Sequence, residues 1–380
     1  MTEDDAGPST AALVVGRTEC KTLRDDQFGV VRRAESLSDD FLVDNFDFNG
    51  LGSGGGKGGD VMARTRDGRF FVKTLNATDG KSLLEDTFLR AYVSRATTGQ
   101  SLATKIYAVF VHPELGRFVV MNNCVSPRVE SWSRLYDLKG TADDKTLVKD
   151  GVPVPHAHKR FYNLNLIVRE WFSCYRDVPV PRQRYIAGKF EAFDVSLFMT
   201  KDQKEEIMTQ LRNDCALFET HNLMDYSLLV GIQRVRREDV EEAVAMRDGD
   251  VHNKPYVVEY GGEILILYFG VIDFLQPWNA GKKVAHVIKR CFAPSPISTV
   301  NPKSYAKQFL DHFEFKFKSV GFEWLRNGAG QKRTPRKSSA SKQVLRQDSS
   351  NAGAEESPSM LQRLRSSVAN VTAFATEEPL

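Results

Sequence analysis

Asp225 stands in the segment Met224-Asp225-Tyr226-Ser227-Leu228-Leu229-Val230-Gly231-Ile232, just ahead of an apolar run that reads as a buried strand. A carboxylate placed there costs free energy unless a charge or a hydrogen-bond donor meets it. Asp273 closes a second apolar run, Ile264 to Ile272. A carboxylate at a strand end can cap or turn the chain. It can equally hold Mg²⁺, a hard cation that takes carboxylate and phosphate oxygens. Lys73 lies inside Phe70-Phe71-Val72-Lys73-Thr74-Leu75. Its ammonium either snorkels to solvent or pairs with phosphate. Together these residues have the types needed for phosphoryl transfer, which asks for charge neutralisation and positioning more than for covalent help.

A glycine loop precedes the lysine strand. Gly54, Gly56 and Gly59 give the spacing G-x-G-x-x-G, with Lys57 inside it. A dinucleotide fold needs a helix after such glycines, but a strand pattern and the turn Asp67-Gly68 follow here. A P-loop needs Ser or Thr after its lysine, and Lys57 is followed by Gly58. A glycine loop between two strands, covering nucleotide phosphates with its backbone N–H groups, fits the residues best.

Tyr136-Asp137-Leu138-Lys139-Gly140-Thr141, the Met224 to Ile232 segment, and residues 270–309 with Tyr305-Ala306-Lys307-Gln308-Phe309 carry a family resemblance. In order and wording the chain resembles the phosphatidylinositol phosphate kinases over residues 22–325. The resemblance implies an α+β, two-lobed kinase-like fold with antiparallel sheets and a nucleotide cleft between the lobes. It implies that Asp225 positions and deprotonates the inositol hydroxyl. Lys139 would neutralise the γ-phosphate, and Asp137 would help hold the site together. ATP would lie under Gly54, Gly56, Lys57 and Gly59, against Lys73 and near a hinge at Asn122 and Asn123, with Mg²⁺ on Asp273. Kinases orient the strand lysine with a helix glutamate, and Glu85 is the glutamate available in the next helix.

Lys282 to Phe292 places Val284, Val287, Ile288 and Cys291 at helical spacing, with basic residues on the other face. A short basic amphipathic helix suits an anionic bilayer surface. By the resemblance this is the loop that selects the lipid, through Lys282, Lys283, Ala285, Lys289 and Arg290. By the same resemblance, alanine at position 285 is typical of members that phosphorylate the 5-phosphate lipid, where members acting on the 4-phosphate lipid carry glutamate. The segment Ile297 to Pro302 also looks like the 5-phosphate type, which tilts the expectation slightly to that substrate. Both reactions yield phosphatidylinositol 4,5-bisphosphate. The implied partners are a phosphatidylinositol monophosphate in anionic membranes and a second copy of the chain, at a cytoplasmic membrane surface. The rival readings are a phosphoinositide-binding pseudokinase or scaffold, a protein kinase and a nucleic-acid binder. Lys73, Asp225 and Asp273 are all present, which favours the enzyme. Met224-Asp225-Tyr226 and Asp273-Phe274-Leu275 differ from the His-Arg-Asp and Asp-Phe-Gly wording of protein kinases. No recognition fold accompanies the basic tail.

The elements that must position these groups belong to a chain of 380 residues, 41% hydrophobic and 27% charged, with a formal net charge of +3. That is ordinary globular composition, and the small net charge does not itself call for nucleic acid or membrane. The five cysteines have no paired spacing, which argues against a disulfide framework or zinc site. The acidic, polar start is not that of a signal peptide, and the longest apolar run, Ile264 to Phe269, is strand-sized. The pattern predicts a flexible lead over residues 1–22 and a catalytic domain over 23–325, divided near 123. A disordered basic, Ser-rich tail is expected over 326–380. Hairpins are expected at Val61 to Leu75, at Ile106 to Met121, and around Gly261-Gly262. Helices are expected at Lys81 to Thr97, Lys201 to Phe218 and Tyr305 to Phe317.

Overall fold

The computed structural model describes residues 12–53, 61–141, 143–154, 191–192, 194–247, 249–260, 262–284 and 298–319. The expected site residues Gly54, Gly56, Lys57, Gly59, Ala285, Lys289 and Arg290 lie outside them. The architecture is α+β, built on two antiparallel sheets.

The first sheet has strands β1 (Ala12–Val15), β2 (Thr18–Thr22), β3 (Gly52–Ser53), β4 (Val61–Arg64), β5 (Phe70–Thr74), β6 (Ile106–His112) and β7 (Gly116–Asn122), in the order β1-β2-β6-β7-β5-β4-β3. The Asp67-Gly68 turn closes the β4–β5 hairpin as expected: Thr65 and the Asp67 carboxylate hold it, and Gly68 has φ +73°. Helix α1 (Asp25–Ala34) packs on β6, and α2 (Ala77–Leu83) and α3 (Asp86–Ala96) follow β5. Two expectations need correction. Residues 12–22 are not a loose lead but two paired strands, with Leu13, Val15 and Cys20 in the core. Each strand is only four or five residues long, and β2 is polar except at Cys20, so it reads as a strand only once paired with β6. Likewise Lys81 to Thr97 is not one helix: it breaks at Leu84 and Glu85, where a new N-terminus is capped.

The second sheet is built from β8 (Arg134–Leu138), β9 (Lys145–Lys149) and β10 (Val152–Pro153), then from strands later in the chain. After β11 (Leu197–Met199) come α4 (Lys201–Thr220), β12 (Leu223–Met224), β13 (Ser227–Val235), the short helix α5 (Val240–Val244), β14 (Tyr256–Tyr260), β15 (Glu263–Ile272) and β16 (Gln276–Pro277). Helix α6 (Pro302–Lys316) and β17 (Phe317–Ser319) complete the described chain. The sheet order is β10-β9-β8-β13-β15-β14, while β12 pairs with β16 and β11 with β17 in two-stranded ladders. Helix α4 begins with a full capping box between Thr200 and Gln203, which satisfies two orphan donors at once. It buries Ile207, Leu211, Cys215 and Phe218 against the core. Among the described residues no helix is long and apolar enough to cross a membrane.

The segment 101–105 ties the sheets together. Ala103 bridges Val271, Thr104 N–H donates to the Val271 carbonyl at 2.9 Å, and Val271 N–H donates to Leu102 at 2.7 Å. Asp214 of α4, 1% exposed, gathers that segment: its carboxylate accepts from the Ser101 hydroxyl, the Leu102 and Ala103 amides and the Arg95 guanidinium. A buried charge is tolerated only when paired in this way.

Candidate active site

Antiparallel register brings the separated motifs to one end of the second sheet. Leu138 pairs with Leu228, and Ser227 pairs with Ile272. Lys139, Asp225 and Asp273 therefore each lie just past the end of a ladder, on three neighbouring strands. The β13–β15 ladder stops there, and the β12–β16 ladder resumes with Met224 opposite Gln276. Asp225 and Asp273 occupy the break between the two ladders, and both take left-handed backbone conformations, φ 68° and φ 57°. Such conformations cost energy for residues other than glycine, least so for Asp and Asn, and persist when the surroundings fix them.

The surroundings do fix them. Tyr226 is buried between Phe218, Tyr305 and Phe309, and the Tyr305 hydroxyl donates to the Tyr226 carbonyl. Phe274 is buried and stacked on Phe218 at 4.8 Å. An aspartate anchored to a buried ring on its C-terminal side cannot rotate into the core, so each carboxylate is held towards the sheet end.

There the charges meet. Lys139 Nζ donates to the Asp225 carboxylate at 2.8 Å and to the Asp225 carbonyl at 2.6 Å. Lys282 Nζ approaches the other Asp225 oxygen at 3.8 Å. Lys73 Nζ lies 3.6 Å from Asp273, whose side chain is 60% exposed. Asp137 is buried and takes a bond from Lys145 at 3.1 Å. Burial works against the charge on Lys139, but Asp225 and then Asp137 outweigh it and hold its ammonium above the ordinary lysine value. Burial likewise opposes the Asp137 carboxylate, but Lys145 and Lys139 hold it below its usual range. The result is alternating ammonium and carboxylate groups, open to solvent at Asp273, suited to a charged phosphate ester and a hydroxyl beside it.

Glu85 does not join this group, which corrects its expected role. Its carboxylate caps α3, accepting from the Thr87 and Phe88 amides at 3.1 and 2.8 Å and from the Thr87 hydroxyl at 2.6 Å. The Thr87 hydroxyl and the Phe88 amide hold its pKa below the ordinary value. Asn122 and Asn123 have their side chains buried and spent on the protein. Asn122 accepts from the Lys105 amide and donates to the Val251 carbonyl, and Asn123 donates to the Gly68 carbonyl. They join elements rather than offering free amides to a ligand. Lys283 is exposed beside Lys282, where helical backbone runs over residues 280–284.

A sequence profile of the family described as phosphatidylinositol-4-phosphate 5-kinase matches residues 48–259 and 257–315, well over half of the chain. The chain belongs to this family. Curated relatives agree: phosphatidylinositol 4-phosphate 5-kinase 1 of Arabidopsis thaliana is 25% identical over 67% of this chain and 39% of its own length. The phosphatidylinositol 4-phosphate 5-kinase of Plasmodium falciparum is 25% identical over 68% of this chain and 15% of its own. The type-1 beta enzyme of Gallus gallus is 24% identical over 73% and 54%. The chain thus spans about half or less of the length of these relatives.

Every motif brought together at the sheet end falls within the residues matched to the family. Sequence reasoning missed Asp144, Asp214 and Tyr305 as supporting groups. Asp214 had one available sign, a carboxylate on the apolar side of α4 beside Leu211 and Cys215. Asp144 had another, its place just after the Lys139-Gly140-Thr141 turn.

Proposed function

We propose that this chain transfers the γ-phosphate of ATP to a phosphatidylinositol monophosphate, giving phosphatidylinositol 4,5-bisphosphate. The observation that carries the proposal is the convergence of Lys139 and Lys282 on Asp225, beside the Lys73–Asp273 pair. The two sheets would serve as the two lobes, with ATP between them under the Gly54 to Gly59 loop. Asp225 accepts the proton of the inositol hydroxyl as its oxygen bonds to the γ-phosphorus and the bond to ADP breaks. Lys139 lies against that carboxylate and carries a fixed positive charge to where the phosphoryl group passes. Lys73 meets the nucleotide phosphates.

Asp273 fits a metal site: its carboxylate is exposed and turned out of the fold by its left-handed backbone. Mg²⁺ held by Asp273 would take further oxygens from phosphate and water, as this cation commonly does with one or two carboxylates. Bound there, it would neutralise charge on the phosphoryl oxygens.

The acceptor we favour is the 4-phosphate lipid. The family description and the names of the relatives all specify it, whereas Ala285 and the segment Ile297 to Pro302 point to the 5-phosphate. Agreement over two thirds of the chain outweighs these two local features. Lys282 and Lys283 open the basic segment that we propose faces the lipid phosphate, with the enzyme working at an anionic, cytoplasmic membrane surface. A pseudokinase is disfavoured because Lys73, Lys139, Asp225 and Asp273 are assembled, not merely present. Incubation with Mg-ATP and anionic vesicles carrying either the 4-phosphate or the 5-phosphate lipid tests this. Product from the 4-phosphate lipid supports the assignment, product from the 5-phosphate alone reverses the acceptor, and vesicle binding without transfer establishes the pseudokinase.

A further inference from the structure

Lys139 reaches Asp225 from a turn with unusual constraints. Asp144, 1% exposed, places one carboxylate oxygen 2.7 Å from the Lys139 amide and 3.2 Å from the Thr141 amide. Its own amide donates to the Thr141 carbonyl at 3.1 Å, so the loop closes on itself. Gly140, at φ +70°, rests on α6: a Cβ there would lie 2.8 Å from the His312 Cβ, too close for any side chain. His312 Nε2 in turn lies 3.5 Å from the second Asp144 oxygen, with Lys316 buried one helical turn further on. The neighbouring Asp143 accepts from the Ser298 hydroxyl at 3.1 Å.

We infer that Asp144 is a positioning residue: by gathering the main-chain N–H groups of Lys139 and Thr141 it fixes the turn that aims the Lys139 ammonium at Asp225. A buried carboxylate is a poor device for stability alone, because desolvation opposes it. Here burial pushes Asp144 up to about 7, against the opposing pull of the Lys139 and Thr141 amides. What the carboxylate supplies is geometry, two amides held on one oxygen. Asp137 cannot supply it, because its bond goes to Lys145. The consequence for catalysis rests on the proposed role of Lys139 in phosphoryl transfer.

The test uses the full chain, with Asp144→Ala, Asp144→Ser and Asp144→Asn. Lysine reactivity towards reductive methylation is read by peptide mass spectrometry, and kcat and KM for ATP are measured in parallel. Lys105, ion-paired to Glu35 at 2.7 Å and 11% exposed, is the internal control. In the Ala and Ser variants Lys139 should label about tenfold faster, as expected from one unit of lost pKa elevation, with Lys105 unchanged. Turnover should fall about 10- to 100-fold with KM for ATP within about twofold, as for a displaced catalytic group. Asn keeps an acceptor oxygen and should restore both readouts. Lys139 labelling that stays at the wild-type level, or rises only in step with Lys105, overturns the inference. Faster Lys139 labelling with unchanged turnover upholds the positioning and instead removes Lys139 from the transfer step.

Discussion

Lys139 is joined to Asp225 twice, through the carboxylate at 2.8 Å and through the main-chain carbonyl at 2.6 Å, across 86 residues of sequence. The double contact fixes the position of the ammonium as well as its charge. Substituting Lys139 by Met should lower kcat by about 10²- to 10³-fold, the range for removing one preorganised electrostatic group. Lys139→Arg should not rescue, because a planar guanidinium cannot reproduce both contacts of a compact ammonium. Steady-state kinetics on variants shown to be folded by circular dichroism check this. Retention of more than about a tenth of the wild-type rate by Met would exclude Lys139 from the site.

In the proposed function Lys73 meets the nucleotide and Asp273 the metal, so variants at this pair test the two roles separately. Its length, 3.6 Å, and the exposure of Asp273 make it a weak contributor to stability. Lys73→Met should therefore leave the melting temperature nearly unchanged while raising KM for ATP about tenfold or more. Asp273→Asn should raise the Mg²⁺ concentration for half-maximal rate by a similar factor, read from a titration at saturating ATP. An unaltered Mg²⁺ dependence would move the metal elsewhere.

Glu85 provides a control. As the cap of α3, its replacement by Ala should cost about 1 kcal/mol in denaturant unfolding and leave kcat within about twofold. Collapse of activity at intact stability would restore the orienting role first expected of it.

His312 gives a pH signature. Burial, with Lys316 nearby, holds its imidazole down at about 3. The folded pKa lies below the unfolded one, so its stabilising effect is complete above about pH 6.5 and is lost as pH falls towards 3. Asp144 facing it has a raised pKa and works in the opposite direction between about 4 and 7, so the wild-type curve alone mixes the two. The difference between His312→Gln and wild type isolates the histidine. It should shift in favour of the variant by about 2 kcal/mol between pH 7.5 and pH 5, measured by urea unfolding at both. A difference independent of pH would contradict the buried neutral imidazole.

Elements with local determinants were legible in the sequence. Asp67-Gly68 announces the β4–β5 hairpin, and α4 starts at Lys201 as expected, behind the Thr200–Gln203 capping box; α6, expected from Tyr305, starts earlier, at Pro302 behind the Asn301 cap. β1 and β2 were not legible, because Thr18–Thr22 is polar on every second residue and buries Cys20 only once paired. The break at Glu85 was missed because a glutamate suits a helix interior as well as its first turn. The identities of Lys73, Lys139, Asp225 and Asp273 could be read from local wording. Their juxtaposition could not, since it depends on the register of β8, β13 and β15 and on two left-handed aspartates. Asp144 stayed hidden because its donors are main-chain amides, and Asp214 because Arg95 and Ser101 reach it from 119 and 113 residues away in sequence.

The central claim is that Asp225 serves phosphoryl transfer to a phosphoinositide. The measurement is γ-phosphate transfer from Mg-ATP to anionic vesicles containing the 4-phosphate lipid, by wild type and Asp225→Asn side by side. Formation of phosphatidylinositol 4,5-bisphosphate by the wild type, reduced about 10²- to 10⁴-fold in the variant with vesicle binding retained, is the expected result. Equal rates from the two proteins would contradict it.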